Sequence, residues 1–189
     1  MDVIRTDISD IDGTYCYCSP EGAVEARSRI STVPLHAIHL IGTGDYHYVT
    51  LFFLERIDRD FSLVLLDNHP DDQPDAFGEG LLTCGSWVKA ARSTVRHLKA
   101  DEWNGSGSIP AGLDVYLSVD LDILSPEYAR TDWDQGDYSL DRLLESIRKV
   151  KSEHGIIGVD ICGGLKDPGD SELELNRKAI EAICSTVNQ

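Results

Sequence analysis

The sequence predicts a three-layer α/β/α fold with a mostly parallel central sheet. Four short apolar runs, at residues 37–42, 61–66, 113–119 and 155–162, have the length and composition of buried strands. Segments with helical patterning or capping residues follow these runs. Alternation of strand and helix is typical of a parallel sheet that carries helices on both faces.

The expected helices make up the two outer layers. Residues 48–57 can form the first, and Ser86 can cap a second that runs to residue 91. Ser139 precedes an amphipathic helix at residues 140–153, and residues 171–186 form the last. The buried face of the 140–153 helix is expected to consist of Leu143, Leu144, Ile147 and Val150.

Composition limits the classes of function. The 189 residues fit one domain, 1–189, and 41% of them are hydrophobic. The net charge of −16 argues against nucleic acid or an anionic membrane as a partner, but it is compatible with metal ions or a cationic small molecule. Five scattered cysteines indicate no disulfide framework, and no signal peptide or membrane span is visible, so a cytoplasmic protein is predicted.

Three of the predicted strands are followed by acids and histidines. The first is followed by Gly44-Asp45-Tyr46-His47, the second by Asp67-Asn68-His69-Pro70-Asp71 and the third by Asp120-Leu121-Asp122. Ligands of open α/β sheets bind at the carboxyl ends of the strands, so these side chains are expected to share one crevice. One residue separates Asp67 from His69, and one separates Asp120 from Asp122. An extended backbone therefore points both side chains of each pair the same way.

Aspartates gathered in one crevice cannot all stay ionised without positive charge between them. Two divalent cations would neutralise them, and mixed imidazole and carboxylate ligands suit manganese, iron or zinc better than calcium. A single such pair is also typical of turns and helix caps. Three strand ends together favour a two-metal centre, predicted at His47, Asp67, His69, Asp71, Asp120 and Asp122.

These motifs resemble the arginase–agmatinase (ureohydrolase) family. That family carries a Gly-Gly-Asp-His segment, an Asp-Ala-His-x-Asp segment and a Ser-x-Asp-x-Asp-x-x-x-Pro segment. The second corresponds to residues 67–71 and the third to residues 118–126, whereas Tyr46 interrupts the first before His47. The correspondence in order and separation covers about residues 37–187 and makes the chain similar to a short, divergent member with an arginase-like fold.

The resemblance implies roles for the six residues. Asp67 and Asp120 would bridge two manganese ions, with His47 and Asp71 completing one and His69 and Asp122 the other. A hydroxide bridging the ions would attack a planar carbon of a small substrate, as in arginase, agmatinase or formiminoglutamase. Asp71 would also act catalytically, by orienting the nucleophile and moving its proton. The resemblance thus implies a manganese-dependent hydrolase of non-peptide C–N bonds that is cytoplasmic, and association into a homo-oligomer stays open.

The sequence departs from the family after the last strand. The family places a substrate-binding glutamate in a segment like Asp-Ile-Met-Glu, whereas Asp160-Ile161-Cys162-Gly163 stands here. Thr83 and Cys84 occupy roughly the place of a histidine that arginases carry. The metal centre is still expected, but the substrate need not be a guanidine.

Two alternatives stay open at this point. The first is a metal-binding arginase-like protein without catalytic turnover, which the missing glutamate favours. The second is a phosphatase of the haloacid dehalogenase type, because Asp10-Ile11-Asp12-Gly13-Thr14 matches its signature. The polar residues before Asp10 favour a turn at this segment instead, with Gly13 supplying an unusual backbone angle.

Overall fold

The computed structural model describes residues 1–74 and 80–189. Its central sheet has six strands that pair in parallel, in the order β1-β3-β8-β7-β4-β6. These strands are β1 (Val3–Arg5), β3 (Ile38–Leu40), β4 (Phe61–Leu66), β6 (Leu98–Trp103), β7 (Asp114–Asp120) and β8 (Ile156–Cys162). Two short strands, β2 (Tyr17–Cys18) and β5 (Leu82–Thr83), pair antiparallel beside it.

Among the described residues, five helices cover the sheet: α1 (Pro20–Ser31), α2 (Val49–Leu54), α3 (Trp87–Thr94), α4 (Leu140–Glu153) and α5 (Asp170–Asn188). Buried residues of α1, α2 and α3 join one core cluster, which contains Phe52, Phe53 and Trp87. Buried residues of α4 and α5 join a second cluster with the other face of β4 and β7. The predicted three-layer α/β/α fold is therefore confirmed.

Individual elements differ in how closely they follow the sequence pattern. Helix α4 has the predicted bounds, and Ser139 Oγ accepts a hydrogen bond from the Arg142 backbone N–H at its start. Ser86 precedes α3 as expected, but its side chain does not cap the helix. Helix α2 spans six residues, fewer than the predicted 48–57.

The sequence pattern did not identify β1 and β6, which lie at the two edges of the sheet. Strand β6 reads Leu-Lys-Ala-Asp-Glu-Trp, and edge strands commonly carry such charged side chains. Across the described residues, no helix combines the length and the apolar character that a bilayer crossing needs. The assignment of residues 1–189 to one domain stays a prediction.

Candidate metal centre

The structure brings all six predicted residues together at the carboxyl ends of three strands. His47 follows β3 at the end of a 3-10 helix (Gly44–Tyr46), and Asp67 directly follows β4. Asp120 is the last residue of β7, and Asp122 lies in the 3-10 helix (Leu121–Ile123) after it. All but the half-buried His69 are buried.

His47 Nδ1 faces one group of carboxylates. It lies 3.1 Å from Asp67 Oδ2, 3.1 Å from Asp71 Oδ2 and 3.5 Å from Asp120 Oδ2. One nitrogen and three oxygens thus converge on a single small volume. Imidazole and carboxylate donors at such separations can surround a divalent cation.

His69 faces a second group. Its Nδ1 lies 2.8 Å from Asp122 Oδ2 and 3.6 Å from Asp67 Oδ1. Backbone N–H groups hold this group in place, because His69 N donates to Asp67 Oδ1 and Asn68 N donates to Asp122 Oδ1. Asp67 therefore presents one oxygen to each histidine, as a carboxylate does when it bridges two cations.

The donor set fits a pair of divalent ions. His47, Asp67 and Asp71 offer ligand atoms within 4.8 Å of one another, and Asp67, His69 and Asp122 do the same. Asp67 belongs to both groups, and Asp120 meets His47 together with Cys162 in a further group. The two metal positions inferred from the sequence thus have geometric counterparts, and metal binding itself remains a proposal.

Electrostatics explain why cations suit this cluster. Burial, and then the charges of Asp120 and Asp67, raise the pKa of Asp122 to about 9. Burial likewise raises the pKa of Asp71 to about 6. Burial opposes ionisation of Asp67 too, but hydrogen bonds with His47 and His69 outweigh it and lower its pKa to about 2. The protein alone therefore cannot keep all these carboxyl groups charged near neutral pH.

A chain of hydrogen bonds fixes the orientation of His47. Its Nε2 lies 2.8 Å from Ser118 Oγ, which in turn donates to Asp160 Oδ1 at 2.7 Å. Because the serine proton goes to Asp160, Nε2 donates to the serine oxygen, and Nδ1 faces the carboxylates. Ser118 was noted from sequence only as part of a motif, because its partner His47 lies 71 residues away.

Asp71 is held in an uncommon conformation. Its φ is 47°, a value that non-glycine residues rarely adopt, and its Oδ2 accepts a hydrogen bond of 2.6 Å from Trp87 Nε1. Such backbone strain collects at functional sites. The sequence did not predict the contact with Trp87, which lies at the start of α3.

The cluster lines a cavity of about 360 Å³. Trp133 lines this cavity and meets the His69 ring edge-on at 6.3 Å between centroids. Thr83 and Cys84 also line it, as do Cys16 and Gln73. No lysine or arginine belongs to the lining formed by residues 1–74 and 80–189, so its charged groups are those of the metal cluster.

Gly163 has a conformation that a side chain would disturb. Its φ is +94°, and a Cβ built there would lie 2.0 Å from Asp120 Oδ1. The glycine therefore leaves room for Asp120, and any side chain at position 163 would displace that carboxylate. The sequence showed the substitution but not this contact.

The phosphatase signature lies outside this site. Asp10 is exposed and forms an ion pair with Arg29, and the segment follows no strand end, since β1 ends at Arg5. Gly13 has a φ of +71°, as the expected turn requires. Neither Asp10 nor Asp12 lines the cavity.

Comparison with known proteins extends these observations. No protein-family model matches the chain. An uncharacterized protein of Thermotoga maritima is 32% identical over 173 residues, which cover 81% of this chain and 68% of that protein.

Solved structures with similar backbones include an amidino hydrolase and an arginase. Proclavaminate amidino hydrolase from Streptomyces clavuligerus superposes with a TM-score of 0.67 at 18% identity, over 89% of this chain and 70% of its own. Arginase from Medicago truncatula superposes with a TM-score of 0.66 at 15% identity, over 89% of this chain and 65% of its own. At these identities the likeness shows a common fold.

Proposed function

Because this chain belongs to the same family as the Thermotoga maritima protein and has the arginase-like fold, we propose that it is a two-metal hydrolase of C–N bonds other than peptide bonds. The observation that carries the proposal is the position of Asp67. Its two carboxylate oxygens face His47 and His69, one each, inside a buried cluster of acids.

The proposed cofactor is a pair of divalent ions, with manganese as the metal that the resemblance implies. His47 and Asp71 would hold one ion, His69 and Asp122 the other, and Asp67 and Asp120 both. When bound, such ions polarise a planar carbon's substituents and lower the pKa of a water molecule. Burial of the ligands excludes bulk solvent and strengthens these electrostatic effects.

Asp71 is the proposed catalytic residue. Its Oδ2 lies 3.1 Å from His47 Nδ1, within the group of donors proposed to hold one ion, where a carboxylate can orient the nucleophile and take up its proton. The Trp87 indole N–H keeps its Oδ2 in place. Trp87 therefore positions the carboxylate on which proton movement depends.

The cavity suits a small neutral or cationic substrate. The two solved structures are named as an amidino hydrolase and an arginase, which makes an amidine or related amide the first class to consider here. Gly163 offers no acid for a guanidinium, and the described part of the lining has no lysine or arginine for a carboxylate. We therefore propose a linear amidine or amide as substrate, in a cytoplasmic setting.

A product-release screen tests this function. Metal-loaded protein is incubated with guanidines, formimino compounds and amides, and urea and ammonia are measured. We expect release from at least one class, and a loss of roughly 10²–10⁴-fold in kcat for Asp71→Asn. Asp72→Asn is the matched control, because Asp72 is the neighbouring acid but pairs with Arg92 on the surface.

One observation favours a second candidate function. With Gly163 in place of an acid, the chain can keep the metal cluster without the group that recognises a guanidinium. A protein that binds two ions in this way but releases neither product from any class of the panel is a metal-binding arginase-like protein without turnover. That result would contradict the hydrolase.

A further inference from the structure

Cys162 lies next to the proposed metal centre but is not one of the six ligands proposed above. It is the last residue of β8, the strand between β3 and β7, and it is 1% exposed. Its Sγ lies 2.9 Å from Asp120 Oδ2. That same oxygen is 3.5 Å from His47 Nδ1. The sulfur therefore borders the volume on which the His47 group converges.

The geometry around the sulfur is that of a ligand group. Cys162 Sγ, a ring nitrogen of His47 and an Asp120 oxygen all lie within 4.8 Å of one another, and all three residues are buried. Two of them are already proposed ligands of one metal ion. A sulfur that points away from this volume, into the hydrophobic core, would not meet both.

Other cysteines near the centre differ in this respect. Cys16 and Cys84 line the cavity, but neither joins a group with metal-ligand spacing among the described residues. Cys16 donates instead to Asp45, which Thr43 also contacts. A cysteine near the centre therefore does not by itself acquire metal-ligand spacing, and the group that Cys162 forms with His47 and Asp120 is particular to its position.

Gly163 keeps the sulfur and the carboxylate together. Because position 163 has no Cβ and a φ of +94°, Asp120 can lie directly against the backbone that follows Cys162. Any larger residue at 163 would push Asp120 away from the strand end. The glycine thus leaves Asp120 beside Cys162, its partner in the pairing of β7 with β8.

We propose that Cys162 binds, as a thiolate, the metal ion that His47, Asp71 and Asp120 hold. The inference rests on the proposed metal centre and adds a ligand to it. On binding, the thiol loses its proton to solvent as the sulfur–metal bond forms. A soft thiolate shifts the preference of this position from manganese toward zinc, iron or cobalt, whereas the His69 position keeps oxygen and nitrogen donors only.

Cobalt(II) is the probe for this ligand. A thiolate bound to cobalt(II) gives a sulfur-to-metal charge-transfer band in the near ultraviolet, which carboxylate and imidazole ligands do not. Full-length protein is titrated with cobalt(II), and the spectrum is recorded with the bound metal measured in parallel. We expect the band in the wild-type protein, its loss in Cys162→Ser, and its retention in Cys84→Ser.

The outcomes separate this inference from the proposed function. Bound cobalt without the band in the wild-type protein overturns the Cys162 assignment and leaves the metal centre standing. A band that persists in Cys162→Ser but disappears in Cys84→Ser also overturns the Cys162 assignment and leaves the metal centre standing. No cobalt binding at all overturns both. If Cys162→Ser fails to fold, a Cys16→Ser, Cys84→Ser double variant replaces it: retention of the band there supports the Cys162 assignment, and its loss overturns it.

Discussion

At the scale of single residues, Gly163 marks the clearest difference from an arginase-type site. We expect Gly163→Glu not to create arginine or agmatine hydrolysis, although it restores the residue type of the family. Its Cβ would overlap Asp120 Oδ1, and its positive φ would cost a side chain about 1–3 kcal/mol. The variant should lose metal binding, measured as bound metal per chain, and denature at a lower temperature.

Gly112→Ala is the control for this prediction. Gly112 also has a positive φ, +85°, but a Cβ there meets no heavy atom of the described chain within 4 Å. The Gly112→Ala variant should lose stability only through its backbone conformation, and its bound metal per chain should equal that of the wild-type protein. Urea release from arginine by Gly163→Glu, with metal content unchanged, would refute the account of this position.

The metal residues could be predicted from sequence because each follows an apolar strand within a few positions. Asp67 and Asp120 stand directly at strand ends, so sequence neighbours reveal their place in the fold. Cys162 and Trp87 could not be assigned in the same way. Their contacts, with Asp120 and Asp71, depend on strand order and helix packing, which local sequence does not encode.

At the scale of elements, the site depends on how β7 and β8 hold the segment after β3. Ser118 of β7 links His47 to Asp160 of β8. We expect Ser118→Ala to weaken metal binding by roughly 10–100-fold, because ligands lose affinity when the partners that orient them are removed. Titration calorimetry with the divalent metal measures the change.

Ser62→Ala is the matched control, because Ser62 is a buried serine on the neighbouring strand β4 with an unpaired hydroxyl among the described atoms. The Ser62→Ala variant should bind metal with the same affinity as the wild-type protein. Equal affinities for Ser118→Ala and the wild type would show that the hydrogen-bond chain does not orient His47.

Elements with a strong local pattern were predicted well. Helix α4 combines an amphipathic face with a capping serine, and its bounds agree with the prediction. Strand β6 escaped prediction because its polar sequence becomes a strand only by pairing with β4. Helix α1 was missed as well; its residues include two arginines and two glutamates, and its buried side is largely alanine and glycine.

At the scale of the whole molecule, His39 makes stability depend on pH. It is buried, stacks on Phe53 at 4.1 Å between centroids, and burial lowers its pKa from 6.5 to about 4. Between these values the unfolded chain binds the proton and the folded chain does not. The free energy of unfolding therefore keeps the full contribution of His39 above pH 6.5. It falls by roughly 3 kcal/mol through this residue as the pH drops from 6.5 toward 4.

Chemical denaturation at several pH values tests this dependence. His39→Gln should remove this part of the acid destabilisation, whereas His97→Gln, at an ion pair with Asp60 on the surface, should keep it. If wild type and His39→Gln lose stability in parallel between pH 6.5 and 4, His39 is not the group responsible.

The metal content of the purified chain tests the central claim most directly. After incubation with manganese and removal of free metal, elemental analysis should find about two ions per chain. Asp120→Ala should lose most of them, while Asp114→Ala, at the partly exposed start of the same strand, should keep them. Only trace metal, with wild type and Asp120→Ala indistinguishable, would contradict the two-metal centre.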